Sequence, residues 1–185
     1  MRAFTRQRDE NSLDELWILE HQAVFTLGQA GKREHILAPS IIEVVQSDRG
    51  GQVTYHGPGQ LIFYTLIDLQ RRKIGARQFV ELLENAIIAY LAQLNIVAKS
   101  ERHAPGVYVN GKKIAAIGLR IHKGRSYHGI SINISADLAP FKLINPCGYA
   151  NLEVVNLAAL CSIPVSLSED LTNIILEKIN HDSSN

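Results

Sequence analysis

Cys147 sits in the segment INPCGY, after a proline that disfavours helix and before a glycine that permits tight backbone geometry, so its thiol is expected on a turn. Cys161, in the apolar run LAALCSIPV, reads as a structural thiol. A thiol of ordinary pKa, ~8.5, is only a few per cent thiolate at neutral pH and needs a neighbouring positive charge to become a ready nucleophile. The candidates for that charge are Lys112, Lys113, His56 and His128. Lys113 is preferred, because it precedes IAAIG and emerges from an otherwise apolar strand, whereas Lys112 adjoins a hairpin turn and is expected in solvent. The chemistry such a pair supports is covalent catalysis by a sulfur nucleophile.

Four of the thirteen glycines fall within Gly50 to Gly59, inside DRGGQVTYHGPGQ. The loop matches neither GxxxxGKS/T nor GxGxxG, but exposed N–H groups in such a loop can hold an anion or a carbonyl oxygen. A plain glycine hairpin is the bland reading; the polar groups Arg49, Thr54, Tyr55 and His56 favour a specialised loop. Of seven histidines, His21, His35, His103, His122 and His181 lack a glycine-rich setting and are taken as surface or satisfied core residues. His56 and His128 each precede a glycine, and either orient substrate or bond to turn backbone. A zinc site from His56, His128 and Cys147 has no short ligand spacing to support it, so no metal and no cofactor are expected.

These residues need a scaffold. Strand is expected from about Leu16, and QLIFYTLIDL (Gln60 to Leu69) reads as a central strand covered on both faces. In ARQFVELLENAIIAYLAQLN the residues Phe79, Leu83, Ala86, Ile87, Tyr90, Leu91 and Leu94 share one helical face, with Glu81, Glu84 and Asn85 opposite. The stretch from Gly106 to Ser135 reads as a three-strand meander turning at Asn110-Gly111 and Lys123-Gly124. A two-residue second loop sets His122 opposite Arg125, and hence Gly118 opposite Gly129. Two facing glycines leave a gap where a ligand or another backbone can approach; alanine at either is expected to leave melting nearly unchanged. Ser166 and Glu169 form a capping box for a C-terminal helix. Helices mixed with a long antiparallel meander give class α+β, with no dinucleotide-binding βαβ unit.

At 185 residues, 46% apolar and 20% charged, the chain is expected to be one domain, residues 1–185, and neither disordered nor a disulfide scaffold. A net charge of +1 offers no global field to recruit nucleic acid or an anionic membrane. No apolar run is long enough to span a bilayer and the charged opening lacks the apolar stretch of a signal peptide, so a cytoplasmic location is expected.

The blocks RGGQVTYHGPGQ, APGVYV, KKIAAIGLRI, HGISIN and DLAPFKLINPCGY, in this order between about Asp14 and Leu157, resemble the lipoyl(octanoyl) transferase family. The resemblance implies a fold like the biotin and lipoate protein ligases, a mixed sheet flanked by helices. It implies transfer of an octanoyl group from octanoyl-acyl carrier protein to the ε-amine of a lysine on lipoyl domains, in protein lipoylation. The implied acceptors are the lipoyl domains of 2-oxoacid dehydrogenase complexes and the glycine cleavage H protein. By the same resemblance Cys147 matches the acyl-thioester nucleophile and Lys113 its partner. Three segments match the acyl-substrate lining: Arg49, Gly50, Gly51, Gln52, Val53, Thr54, Tyr55 and His56; Ala116, Ile117 and Gly118; and Gly129, Ile130 and Ser131. Members of the family commonly carry a further strand and helix start before the position of Met1 here.

Overall fold

The computed structural model describes residues 1–150 and 152–181; the side chains of Cys147 and His181 lie outside the described set. In chain order the elements are α1 (Arg2–Gln7), β1 (Glu15–Leu19), β2 (Val24–Leu27), β3 (Glu43–Gln46), β4 (Val53–His56), β5 (Gln60–Leu66), α2 (Ala76–Gln93), β6 (Lys99–Ser100), β7 (Gly106–Val109), β8 (Lys112–His122), β9 (Arg125–Asn133) and α3 (Leu167–His181). A six-stranded sheet runs β1-β5-β9-β8-β7-β6, and a three-stranded sheet runs β3-β2-β4. The neighbours in the larger sheet are antiparallel, while β2 and β3 pair in parallel. The architecture is thus the α+β class expected, with a second small sheet and helix α1 that the residue pattern did not announce.

The meander turns where the sequence places its turns. Asn110 and Gly111 have φ of 50° and 79°, and Lys123 and Gly124 of 48° and 75°, the left-handed pairs that let a two-residue loop follow strand twist. His122 therefore faces Arg125, and Gly118 faces Gly129. Helix α2 buries Phe79, Leu83, Ala86, Ile87, Tyr90 and Leu91 in the core shared with α3 and the larger sheet. Burial of a side chain such as Leu83 or Phe79 contributes about 1.5 to 3 kcal/mol. One member of the supposed outer face turns inward: Glu84 is buried, and its Oε1 accepts the Gly106 N–H at 2.7 Å. A carboxylate satisfied by backbone is tolerated there, although burial raises its pKa. The cap of α3 also differs from expectation, since the Ser166 hydroxyl donates to Asp170 and the Asp170 N–H to the Ser166 carbonyl.

The ladder between β7 and β8 is out of step. Val107 pairs with Ala115 but Tyr108 with Lys113, so Ile114 is an extra residue. Ile114 and Ala115 consequently both enter the main core. The bulge reverses the inside-outside alternation and sends Lys113 to the face of the sheet that carries Ala116 and Ser131, all three bordering one small gap.

Candidate active site

A cavity of about 740 Å³ lies between the two sheets. Its floor is Ala116, Gly118, Gly129 and Ser131 from the larger sheet; its walls include Thr26, Thr54 and His56 from the smaller one. Among the residues matched to the acyl lining, Arg49, Gly51, Gln52, Val53, Ile117 and Ile130 also border it. Gly50 borders a second groove instead. Tyr55 points the other way, its ring 5.7 Å from Phe25 and 5.5 Å from Phe141 in a separate apolar cluster. Successive side chains of a strand take opposite faces, and with Thr54 facing the cavity the Tyr55 ring is turned away from it.

Arg49 organises the glycine loop. Its guanidinium donates to Thr26 O at 2.6 Å, Gln52 O at 2.7 Å and Gly50 O at 2.8 Å, and its Nε to Thr26 Oγ1 at 3.0 Å. These bonds tie the loop to β2, which the Gln29 N–H reinforces by donating to Arg49 O. The arginine thereby satisfies carbonyls that would otherwise be desolvated without partners.

The two facing glycines have different duties. A Cβ on Gly129 would lie 1.9 Å from the Phe63 carbonyl oxygen, so there it is the backbone of β5 that makes the close approach. Next to it, His128 has φ of 59°, a strained value that turns the strand at this point. A Cβ on Gly118 would meet the Arg49 side chain at 3.2 Å. The expectation that alanine is harmless to stability at both positions is therefore corrected for Gly129.

Lys113 is 3% exposed, and its Nζ donates to the Pro105 carbonyl at 3.1 Å while lying 5.1 Å from the Tyr108 ring centre. Its backbone is held from the other side too, with the Lys113 N–H donating to Glu153 O and the Val155 N–H to Lys113 O. The turn Pro146–Gly148 that carries Cys147 packs against β4. Pro146 borders the same gap as Lys113, Thr54, Ala116 and Ser131. The backbone of the cysteine turn and the lysine thus meet at the wall of the cavity. The Cys147 thiol itself lies outside the described residues, as does any metal set that includes it.

The opposite end of the cavity is polar, and residue pattern alone passed over half of it. His21, assigned to the surface or core by its setting, borders the cavity and shares a 2.5 Å hydrogen bond with the Tyr64 hydroxyl. His128 Nε2 lies 2.8 Å from Asp48 Oδ1, while the Tyr127 hydroxyl donates to Asp48 Oδ2 at 2.6 Å and Arg2 pairs with Asp48 at 3.0 Å. Burial works against the Asp48 charge, but these partners hold its carboxyl well below the usual carboxylate range. Burial lowers His21 and His128 as well, and, aided by the Arg49 charge, brings His56 down to about 3. The adjacency of Asp48 to the Arg49 loop was the available sequence signal; nothing local marked His21 or Tyr64. Among the described residues no group of three or more His, Cys, Asp or Glu is placed to hold a metal, and no helix is long and apolar enough to cross a membrane.

Comparison with known proteins bears on the family and the fold. Residues 1–179 match the lipoyl protein ligase A/B catalytic domain family. The chain is 54% identical over 181 residues to an octanoyltransferase of Colwellia psychrerythraea, a match covering 95% of this chain and 77% of that one. Its fold is similar to that of a lipoate-protein ligase A bound with ATP, at a TM-score of 0.73 and 15% identity over 98% of this chain and 77% of that one. A biotin protein ligase of Aquifex aeolicus is more distant, at a TM-score of 0.52 and 15% identity over 85% and 68%. At such low identity the two ligases speak for the fold alone. The relationship at 54% identity and the family match say more: this chain is an acyltransferase and belongs to the octanoyltransferases of the lipoyl protein ligase A/B catalytic domain family.

Proposed function

We propose that this enzyme, as a single catalytic domain, moves an octanoyl group from the phosphopantetheine thiol of acyl carrier protein to the ε-amine of a lysine on a lipoyl domain. The intermediate is a thioester on Cys147. The observation that carries the reading is the meeting of the Cys147 turn with buried Lys113 at the wall of a cavity of about 740 Å³, a size usual for sites that enclose small ligands.

In the first half-reaction the Cys147 thiolate attacks the octanoyl carbonyl, a carbon–sulfur bond to the enzyme forms, and the carrier thiolate leaves. An ammonium about 4 Å from a thiolate favours it by roughly 4 kcal/mol at an effective dielectric of about 20, before desolvation subtracts from this. Lys113 supplies that charge and then gives its proton to the departing thiolate. Now neutral, it takes a proton from the acceptor amine as that nitrogen attacks the acyl-enzyme, and Cys147 leaves as thiolate. The amide formed is more stable than the thioester consumed, so no ATP enters. The acceptors are lipoyl domains, including those of 2-oxoacid dehydrogenase complexes and the glycine cleavage H protein.

Transfer is tested by incubating the enzyme with octanoyl carrier protein and an unmodified lipoyl domain, with and without ATP. Octanoylated lipoyl domain is expected in both reactions. Product only when ATP is present would mark an ATP-dependent ligase, and tight binding of the carrier with no product would mark a binding module.

A further inference from the structure

A groove of about 500 Å³ adjoins the acyl cavity and shares Gly51, Gln52, Ile117 and Gly118 with it. Lys113 and Pro105 border one part of it, and Ala76, Arg120 and Ile121 another. We infer that this groove receives the phosphopantetheine arm of the acyl donor, with the thioester at its Lys113 end and the phosphate at Arg120. The inference rests on the transfer reading above and gives the donor's path through that same site.

Length, edge chemistry and charge each fit the arm. From Lys113 to Arg120 the strand advances seven residues, roughly 23 Å. The extended arm from sulfur to phosphorus spans roughly 16 Å, the reach of about five extended residues, and the arginine side chain covers the remainder. The groove follows the edge of β8 that lies past its last partner in β7, the Gly106–Ala116 pair. On that edge the Gly50 N–H donates to Leu119 O at 2.9 Å. Backbone groups two residues apart point the same way, so Ile117 and Ile121 present theirs to the groove. An arm built from two amides is chemically a short peptide, with donors and acceptors for the Ile117 and Ile121 groups on either side of the Leu119 carbonyl that Gly50 occupies.

Arg120 bonds to the neutral Gln29 and stands opposite Tyr127 in the ladder; among the described residues no carboxylate forms an ion pair with it. Its positive charge is thus available to a phosphate. The opposite wall is the first part of α2, where Ala76 and Val80 are small enough to leave the channel open. Glu84, one turn further, bonds to Gly106 and so fixes this wall against the end of the groove where Lys113 lies.

The test compares three octanoyl thioesters as donors: 4′-phosphopantetheine, pantetheine and N-acetylcysteamine. The readout is kcat/KM for thiol release in wild type, Arg120→Glu, Arg120→Lys and Ala76→Trp, each checked for unaltered melting. Arg120→Glu is expected to reduce the preference for the phosphorylated over the unphosphorylated arm at least ten-fold, with Arg120→Lys keeping part of it. Ala76→Trp is expected to reduce the preference for both long arms over the short one. An unchanged preference in Arg120→Glu would overturn the assignment of the groove to the arm. Failure of wild type to react with any of the three, while octanoyl carrier protein run alongside still reacts, would overturn the groove assignment too; failure with the carrier protein as well would overturn the transfer reading.

Discussion

Gly118 and Gly129 face each other across the β8–β9 ladder, yet a methyl on each would strike a different neighbour. At Gly129 it meets the Phe63 carbonyl oxygen at 1.9 Å, a backbone atom held by β5; at Gly118 it meets Arg49 Cδ at 3.2 Å, part of a side chain. Gly129→Ala is therefore expected to cost several kcal/mol, on the scale of other forced backbone shifts. Gly118→Ala is expected to change stability by less than about 1 kcal/mol, because the reduced entropy of the unfolded chain offsets a small displacement of Arg49. Acylation should still slow in Gly118→Ala, since Gly118 borders both cavities. Urea unfolding and single-turnover acylation separate the two effects.

Arg49→Lys should be more damaging than its conserved charge suggests. The arginine satisfies carbonyls of Thr26, Gly50 and Gln52 at once, and a lysine cannot reproduce that fork. Leaving one buried carbonyl without a donor costs about 1 to 3 kcal/mol. Denaturant unfolding is expected to show a loss in that range, with weaker acylation because the glycine loop is no longer pinned to β2.

Lys113 is assigned two tasks, and its variants divide them. Lys113→Arg keeps a charge that does not act as a base, whereas Lys113→Met removes charge and base together. Alkylation of the Cys147 thiol at neutral pH should be faster in the Arg variant than in the Met variant, while both fail in transfer to the acceptor amine. Equal alkylation rates in wild type and Lys113→Met would show that the lysine does not activate the cysteine.

The folded state keeps His56 neutral, its pKa brought down to about 3 against ~6.5 for an unperturbed histidine. Between these values the unfolded chain binds the extra proton, so the stabilising contribution is complete above about pH 6.5 and is lost as pH falls toward 3. By pH 5 the loss from this one group is at most about 2 kcal/mol. His56→Gln, which removes the titration, should show a shallower decline than wild type when urea unfolding is compared between pH 7 and pH 5.

Much of this site was legible before the fold was known, because its parts sit on regular elements. Two-residue turns at Asn110-Gly111 and Lys123-Gly124 determine a register, and the register alone sets Gly118 against Gly129. Lys113 is a harder case. Counting in twos from Gly118 puts Ile114 on the cavity face, and only the mismatch with β7 reverses the parity and brings Lys113 there. That mismatch depends on a partner strand and has no local mark in the residues. His21 meets Tyr64, and Asp48 meets His128, from segments far apart in the chain, so their spacing carries no sign of these contacts. Glu84 departs from the expected outer face because helical periodicity identifies the apolar face but not a polar residue whose partner, the Gly106 N–H, comes from elsewhere.

Transfer through Cys147 requires the acyl group to rest on that sulfur between donor and acceptor. Mixing the enzyme with a stoichiometric amount of octanoyl carrier protein, without acceptor and without ATP, and mapping the acylated peptide measures this directly. A single hydroxylamine-labile octanoyl group on Cys147 and an unmodified Cys161 are expected. An octanoyl group on Cys161, or none on the enzyme while transfer still proceeds when the lipoyl domain is added, would contradict transfer through Cys147.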